Sequence, residues 1–129
     1  MKTCDTAINY IWDVLDAATG QITCPIYKIT KPTNVTPDEF IVINTLPIST
    51  GVLQKVIANV NYHVKDIDVK NGLPDMATLQ TKTASVVTLL DDTAASGCMV
   101  DFDTQEYFRE SDINSHYSNL RFSVKIVNE

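Results

Sequence analysis

The sequence predicts a single α+β domain, residues 1–129, in which a mostly antiparallel sheet is packed by an amino-terminal and a central helix. Three observations predict it. Two segments carry apolar residues at helical spacing, and at least two others alternate with period two. The strands are mostly contiguous in the chain, with no repeated strand–helix–strand alternation of the kind that builds a doubly wound parallel sheet. A chain of 129 residues falls within one ordinary domain and buries roughly two-thirds of its unfolded surface.

The first helix is expected from about Thr6 to Ala18, since Ile8, Ile11, Trp12 and Leu15 share one face. Asp5 or Thr6 would cap it, and Gly20 follows its end. Ile22 to Thr30, rich in Ile, Tyr and Thr, reads as a strand. Lys31 to Asp38 contains two prolines, which forbid regular ladder pairing, and reads as an exposed loop. Phe40-Ile41-Val42-Ile43 is a continuous apolar run, the pattern of a strand covered on both faces.

The clearest strand is Gln54 to Val64, where Val56, Ala58, Val60, Tyr62 and Val64 alternate with polar neighbours. Pro74 opens the second helix, a position where its missing N–H costs nothing. Met76, Leu79, Thr83, Val86, Val87 and Leu90 then give an apolar face up to about Asp91. Period two returns in Met99-Val100-Asp101-Phe102 and in Leu120, Phe122, Val124 and Ile126. Gln105 to His116 is the other irregular stretch. The expected core contains Trp12, Leu15, Val60, Tyr62, Leu79, Val86, Phe122 and Val124.

Hydrophobic residues make up 44% and charged residues 20%, an ordinary globular balance that argues against disorder. Sixteen acidic against ten basic residues leave a net charge of -6, the wrong sign for wrapping a polyphosphate. With four glycines and two histidines, Gly-rich phosphate cradles and multi-His metal sites lack material. The three cysteines, Cys4, Cys24 and Cys98, form no CxxC pair and no even set, so a disulfide framework is disfavoured. The amino-terminal segment lacks an uninterrupted apolar stretch of the signal-peptide kind, and no 18-residue apolar run occurs. Synthesis in a reducing cytoplasm is expected.

Catalytic readings have little to stand on. A nucleophilic centre would need His63 or His116 beside an activated hydroxyl or thiol, with Ser115, Ser118, Asp112 and the cysteines as raw material. Against this, both histidines read as surface or interface polar residues. Asp101, Asp103, Glu106, Glu110 and Asp112 form an acidic run, but the residue order of a calcium loop is missing, and a solvated face explains the run equally. Asp66 and Asp68, close to His63 in sequence, are raw material for a shared metal, yet turn chemistry accounts for them as well. The cysteines resemble small buried hydrophobes, having no cation nearby in sequence to lower their pKa values. No catalytic residue, cofactor or metal ligand is therefore expected. Tyr107, Phe108 and Tyr117, with Lys31 and Asp38, are the interface candidates, because aromatics within polar, irregular stretches are the kind of residue that anchors partners.

Five segments carry a resemblance: Ile8-Asn9-Tyr10-Ile11-Trp12 in the first helix; the Pro-rich loop leading into Phe40-Ile41-Val42-Ile43-Asn44; the long strand Val56 to Val64; the helix after Pro74; and Arg121-Phe122-Ser123-Val124-Lys125-Ile126. Together they span nearly the whole chain, which resembles the tail-terminator or tail-completion proteins of long-tailed bacteriophages. The resemblance implies a non-enzymatic phage or prophage protein, a hexameric ring that caps the tail tube and joins it to the head. Implied partners are further copies of the chain, tail-tube proteins and head–tail connector proteins, with no membrane. DNA would be passing cargo, and an acidic lumen would keep it from adhering. The implied location is the virion tail or neck, and the host cytoplasm during assembly. Two alternatives from other classes stand beside it: a small protein-interaction domain with no phage role, and a small hydrolase using His63 or His116.

Overall fold

The computed structural model describes residues 2–127. In chain order the elements are α1 (Cys4–Ala17), β1 (Ile26–Lys28), β2 (Glu39–Thr45), β3 (Leu53–Lys65), α2 (Met76–Leu90), β4 (Thr93–Ala95), β5 (Cys98–Glu110), a 3-10 turn (Ser111–Ile113) and β6 (Ser115–Val127). The strands form one sheet in the order β1-β2-β3-β6-β5-β4. Every neighbouring pair is antiparallel except β1 on β2. This is the α+β architecture expected from the two periodicities.

The central pair is β3 with β6, aligned from Leu53 opposite Val127 to Lys65 opposite Ser115. Strand alternation sends Val56, Ala58, Val60, Tyr62 and Val64 to the same face as Leu120, Phe122, Val124 and Ile126, and all are buried there. Ala7, Ile8, Ile11 and Leu15 of α1 and Leu79, Val86 and Leu90 of α2 complete that core, so both helices cover one face of the sheet. Thr83 adds a polar tie from α2 to β6, its hydroxyl donating to Ser118 Oγ at 2.8 Å. Neither helix is long and apolar enough to cross a membrane. Of the expected core residues only Trp12 departs: it is half-buried, its Nε1–H donates to the Ile26 carbonyl at 3.4 Å, and the Lys28 ammonium sits 4.9 Å from its ring centre.

Several boundaries differ from expectation. Asp5 and Thr6 lie inside α1, whose N-cap position is Thr3. Pro74 precedes the start of α2, and the cap is Asp75, whose carboxylate accepts the Thr78 N–H at 3.2 Å and the Thr78 hydroxyl at 2.8 Å. Asp75→Ala should therefore cost about 1 kcal/mol, visible as a lower urea midpoint at unchanged slope. The Ile22–Thr30 strand shrinks to three residues, because Pro25 precedes it and Ile29 turns out of extended geometry at φ 71. The largest correction concerns Gln105 to His116, which is not an irregular loop. β5 runs through it to Glu110 and β6 resumes at Ser115, with only a tight turn between, closed by Asn114 in the left-handed region at φ 52. A bulge at Asp103 shifts the β5–β6 register.

Candidate functional site

The face of the sheet that the helices leave open carries a row of rings contributed by five strands. Direct cross-strand pairing sets Phe40 opposite His63, His63 opposite Tyr117, and Phe108 opposite Tyr117. The rings accordingly stack with centroid separations of 4.3, 4.6 and 5.4 Å, and Tyr27 meets the far edge of Phe40 at 6.2 Å. Such pairs add to sheet stability beyond the area they bury. Further along the same face an amide ladder bonds β2, β3 and β6: Asn59 Nδ2 donates to Asn44 Oδ1 at 2.9 Å, and Asn119 Nδ2 to Asn61 Oδ1 at 2.6 Å.

The connection after β1 borders this face, and the Lys31 ammonium reaches to 5.8 Å from the Phe40 ring. A cleft of about 510 Å³ results, lined among others by Lys31, Phe40, Asn61, His63, Glu110 and Tyr117. A second hollow of about 380 Å³, sharing Phe40, Asp112 and Ile113 with the first, takes in Asp38, Lys65 and Ser115. Lys65 and Asp38 form an exposed ion pair at 3.9 Å, of a kind that contributes little energy. His63 is buried and its Nδ1 has no hydrogen-bond partner. Burial, reinforced by the charge of Lys31, lowers its pKa to about 4, so the ring is neutral at pH 7.

The fold is similar to that of a chain in the virion of the native gene transfer agent (GTA) particle. The two are 14% identical, the match covers 92% of each chain, and the TM-score is 0.64. At that identity the likeness to the GTA virion chain establishes a common fold. No protein-family model and no curated protein matches the sequence.

On this fold, shared with the GTA virion chain, four of the five interface candidates collect on the open face: Lys31 and Tyr117 at the larger cleft, Asp38 at the smaller, and Phe108 stacked on Tyr117. Tyr107 does not join them. It pairs with Ser118, whose hydroxyl faces α2, so Tyr107 points to the helical side. Phe40 and His63, the middle of the aromatic row, carry no sequence signal of their own beyond lying at alternating positions of their strands.

The elements of a hydrolytic centre are scattered. His63 and His116 lie on opposite faces, because His116 pairs with Val64, a residue of the helical face. His116 Nδ1 lies 2.6 Å from Asp66 Oδ1, an orienting carboxylate, but Ser115, its sequence neighbour, is directed to the other face by strand alternation. Ser118 Oγ is already engaged by Thr83 and Gln105. Among the described residues, neither imidazole bonds a hydroxyl or thiol. Cys24 is half-buried and donates to Tyr62 Oη at 3.5 Å, while Tyr62 donates to Glu39 at 2.8 Å; burial pushes both the thiol and the phenol up. Burial does the same to Cys98, and Cys4 is half-buried. Low-pKa nucleophiles need the opposite environment.

No three His, Cys, Asp or Glu side chains converge on one point among the described residues. The acidic run is spread along β5 and into the turn after it, Asp66 is committed to His116, and Asp68 accepts from the Asn71 side chain at 2.8 Å, a hydrogen bond that holds its pKa down. His63 lies on the face opposite His116 and its partner Asp66.

Proposed function

We propose that this chain is a structural protein of a phage or phage-like particle, which caps the finished tail tube and joins it to the head as an oligomeric ring. The observation that carries the reading is a fold shared over 92% of both chains with a component of a GTA virion. The order of elements that resembles tail-terminator proteins supports the same role. On this reading the chain acts by assembly and carries out no catalysis. The open face, with its aromatic row and bordering clefts, supplies contact surface to copies of the chain, to tail-tube subunits or to connector proteins. The excess of carboxylates suits a conduit, since a net charge of -6 per copy keeps passing DNA from adhering.

Deleting the reading frame from the phage or prophage that carries it tests the proposal. Electron microscopy of lysates should then show heads without tails beside unjoined or overlong tails. Tails of normal length, correctly joined to heads, would overturn it.

A further inference from the structure

The two edges of the sheet are unlike. At β1 the outward carbonyls are occupied: Ile26 accepts from Trp12, and Lys28 accepts the Thr30 N–H at 2.8 Å. At the other edge β4 covers only Cys98 to Val100 of β5, and Asp91 Oδ1 takes the Phe102 N–H at 2.8 Å. From Asp103 to Glu110 the outer side of β5 meets no strand among the described residues. An unpaired edge of that length is a template for another chain. Among the exposed charged side chains on and just before this edge, Asp101, Asp103 and Glu106 outnumber Arg109, and Thr104, Tyr107 and Phe108 are exposed beside them.

At the opposite end of the sheet, the segment leaving β1 has the complementary character. Lys28 and Lys31 meet neutral partners there: Lys28 Nζ donates to Asn9 Oδ1, Lys31 Nζ to the Pro32 carbonyl, and among the described residues neither pairs with a carboxylate. Between them Ile29 is 62% exposed and held at φ 71, a backbone region that is costly for a β-branched residue. The Thr30 N–H to Lys28 carbonyl bond and the Ile29 N–H to Ile43 carbonyl bond hold this conformation, which leaves the apolar Ile29 side chain facing solvent.

We propose that the Ile29–Val35 connection of one copy, together with Lys28, docks on the Asp103–Glu110 edge of β5 in a second copy. Lys28 and Lys31 would face Asp103 and Glu106, and Ile29 would be covered. The inference rests on the reading of the chain as a ring-forming protein and names the surfaces that form the ring. Because the two surfaces differ and lie at opposite ends of one sheet, the contact is head-to-tail, the type that closes into a ring when its rotation permits.

Sedimentation equilibrium of the full chain at physiological salt tests the contact. The double variants Lys28→Glu with Lys31→Glu, and Asp103→Lys with Glu106→Lys, should each weaken self-association at least tenfold, since each sets like charges against one another. Mixing the two variants should restore assembly, because each loop then meets an edge of opposite sign. The restored mixture also shows that both variants are folded. If the wild type assembles and the variants assemble equally well, or if the mixture stays dissociated, the contact is wrong while the ring reading stands. A wild type that remains monomeric at every concentration overturns the contact and the ring together.

Discussion

Val124→Asp is expected to leave no folded protein at room temperature. Val124 is fully buried on the helical face of β6, directly opposite Val56 on β3 and Val100 on β5. A carboxylate there has to shed its water or take up a proton, and either course costs several kcal/mol out of a total stability of roughly 5 to 15. The same substitution at Arg121, three residues earlier and exposed on the open face, should shift stability by about 0.5 kcal/mol or less. The pair tests the strand register as well as burial, because a slip by one residue exchanges the two faces. Circular dichroism melts decide it: a soluble Val124→Asp protein with the wild-type transition would refute the placement.

β3 and the half of β6 from Leu120 onward are legible nearly residue by residue because each separates a helix-covered face from a polar one. That asymmetry is written into the chain as the alternation of Val56 to Val64 and of Leu120 to Ile126. The run Phe40 to Ile43 was legible for the opposite reason: Ile41 and Ile43 are buried under the helices while Phe40 and Val42 are buried on the other side. β5 beyond Phe102 was not legible. An edge strand exposed on both faces has no buried face to produce alternation, so Gln105 to Glu110 looks like a polar loop even while it pairs with β6. β1 and β4, three residues each, depend on their partners rather than on any pattern of their own. The candidate site divides in the same way. Lys31, Asp38, Phe108 and Tyr117 could be named as exposed or aromatic residues, but that Phe108 and Tyr117 meet through the same row as Phe40 and His63 follows from a register set between strands far apart in the chain. In sequence Tyr107 groups with Phe108 because adjacent positions look alike, whereas a strand sends them to opposite faces.

Acidification should destabilise the wild type more than a His63→Phe variant. In the folded chain the His63 imidazole lies between the Phe40 and Tyr117 rings, near the Lys31 ammonium, and is protonated only near pH 4, against an ordinary value of 6.5. The unfolded chain therefore binds the proton first as the pH falls. Stability owed to the neutral ring is fully present above pH 6.5, declines between 6.5 and 4, and levels off below the folded-state value. The full difference amounts to about 3 kcal/mol at most. Phe at this position keeps a flat ring in the stack, has nothing to protonate, and removes a buried nitrogen that lacks a partner, so it should be neutral or slightly stabilising at pH 7. Urea midpoints for the two proteins at pH 7 and pH 4.5 give the comparison directly. A wild-type loss that exceeds the variant's by about 2 kcal/mol or more fits a histidine shielded inside the aromatic row. Equal losses would mean that water reaches the ring in the folded state, and that the open face is looser around Phe40 and Tyr117 than their stacking requires.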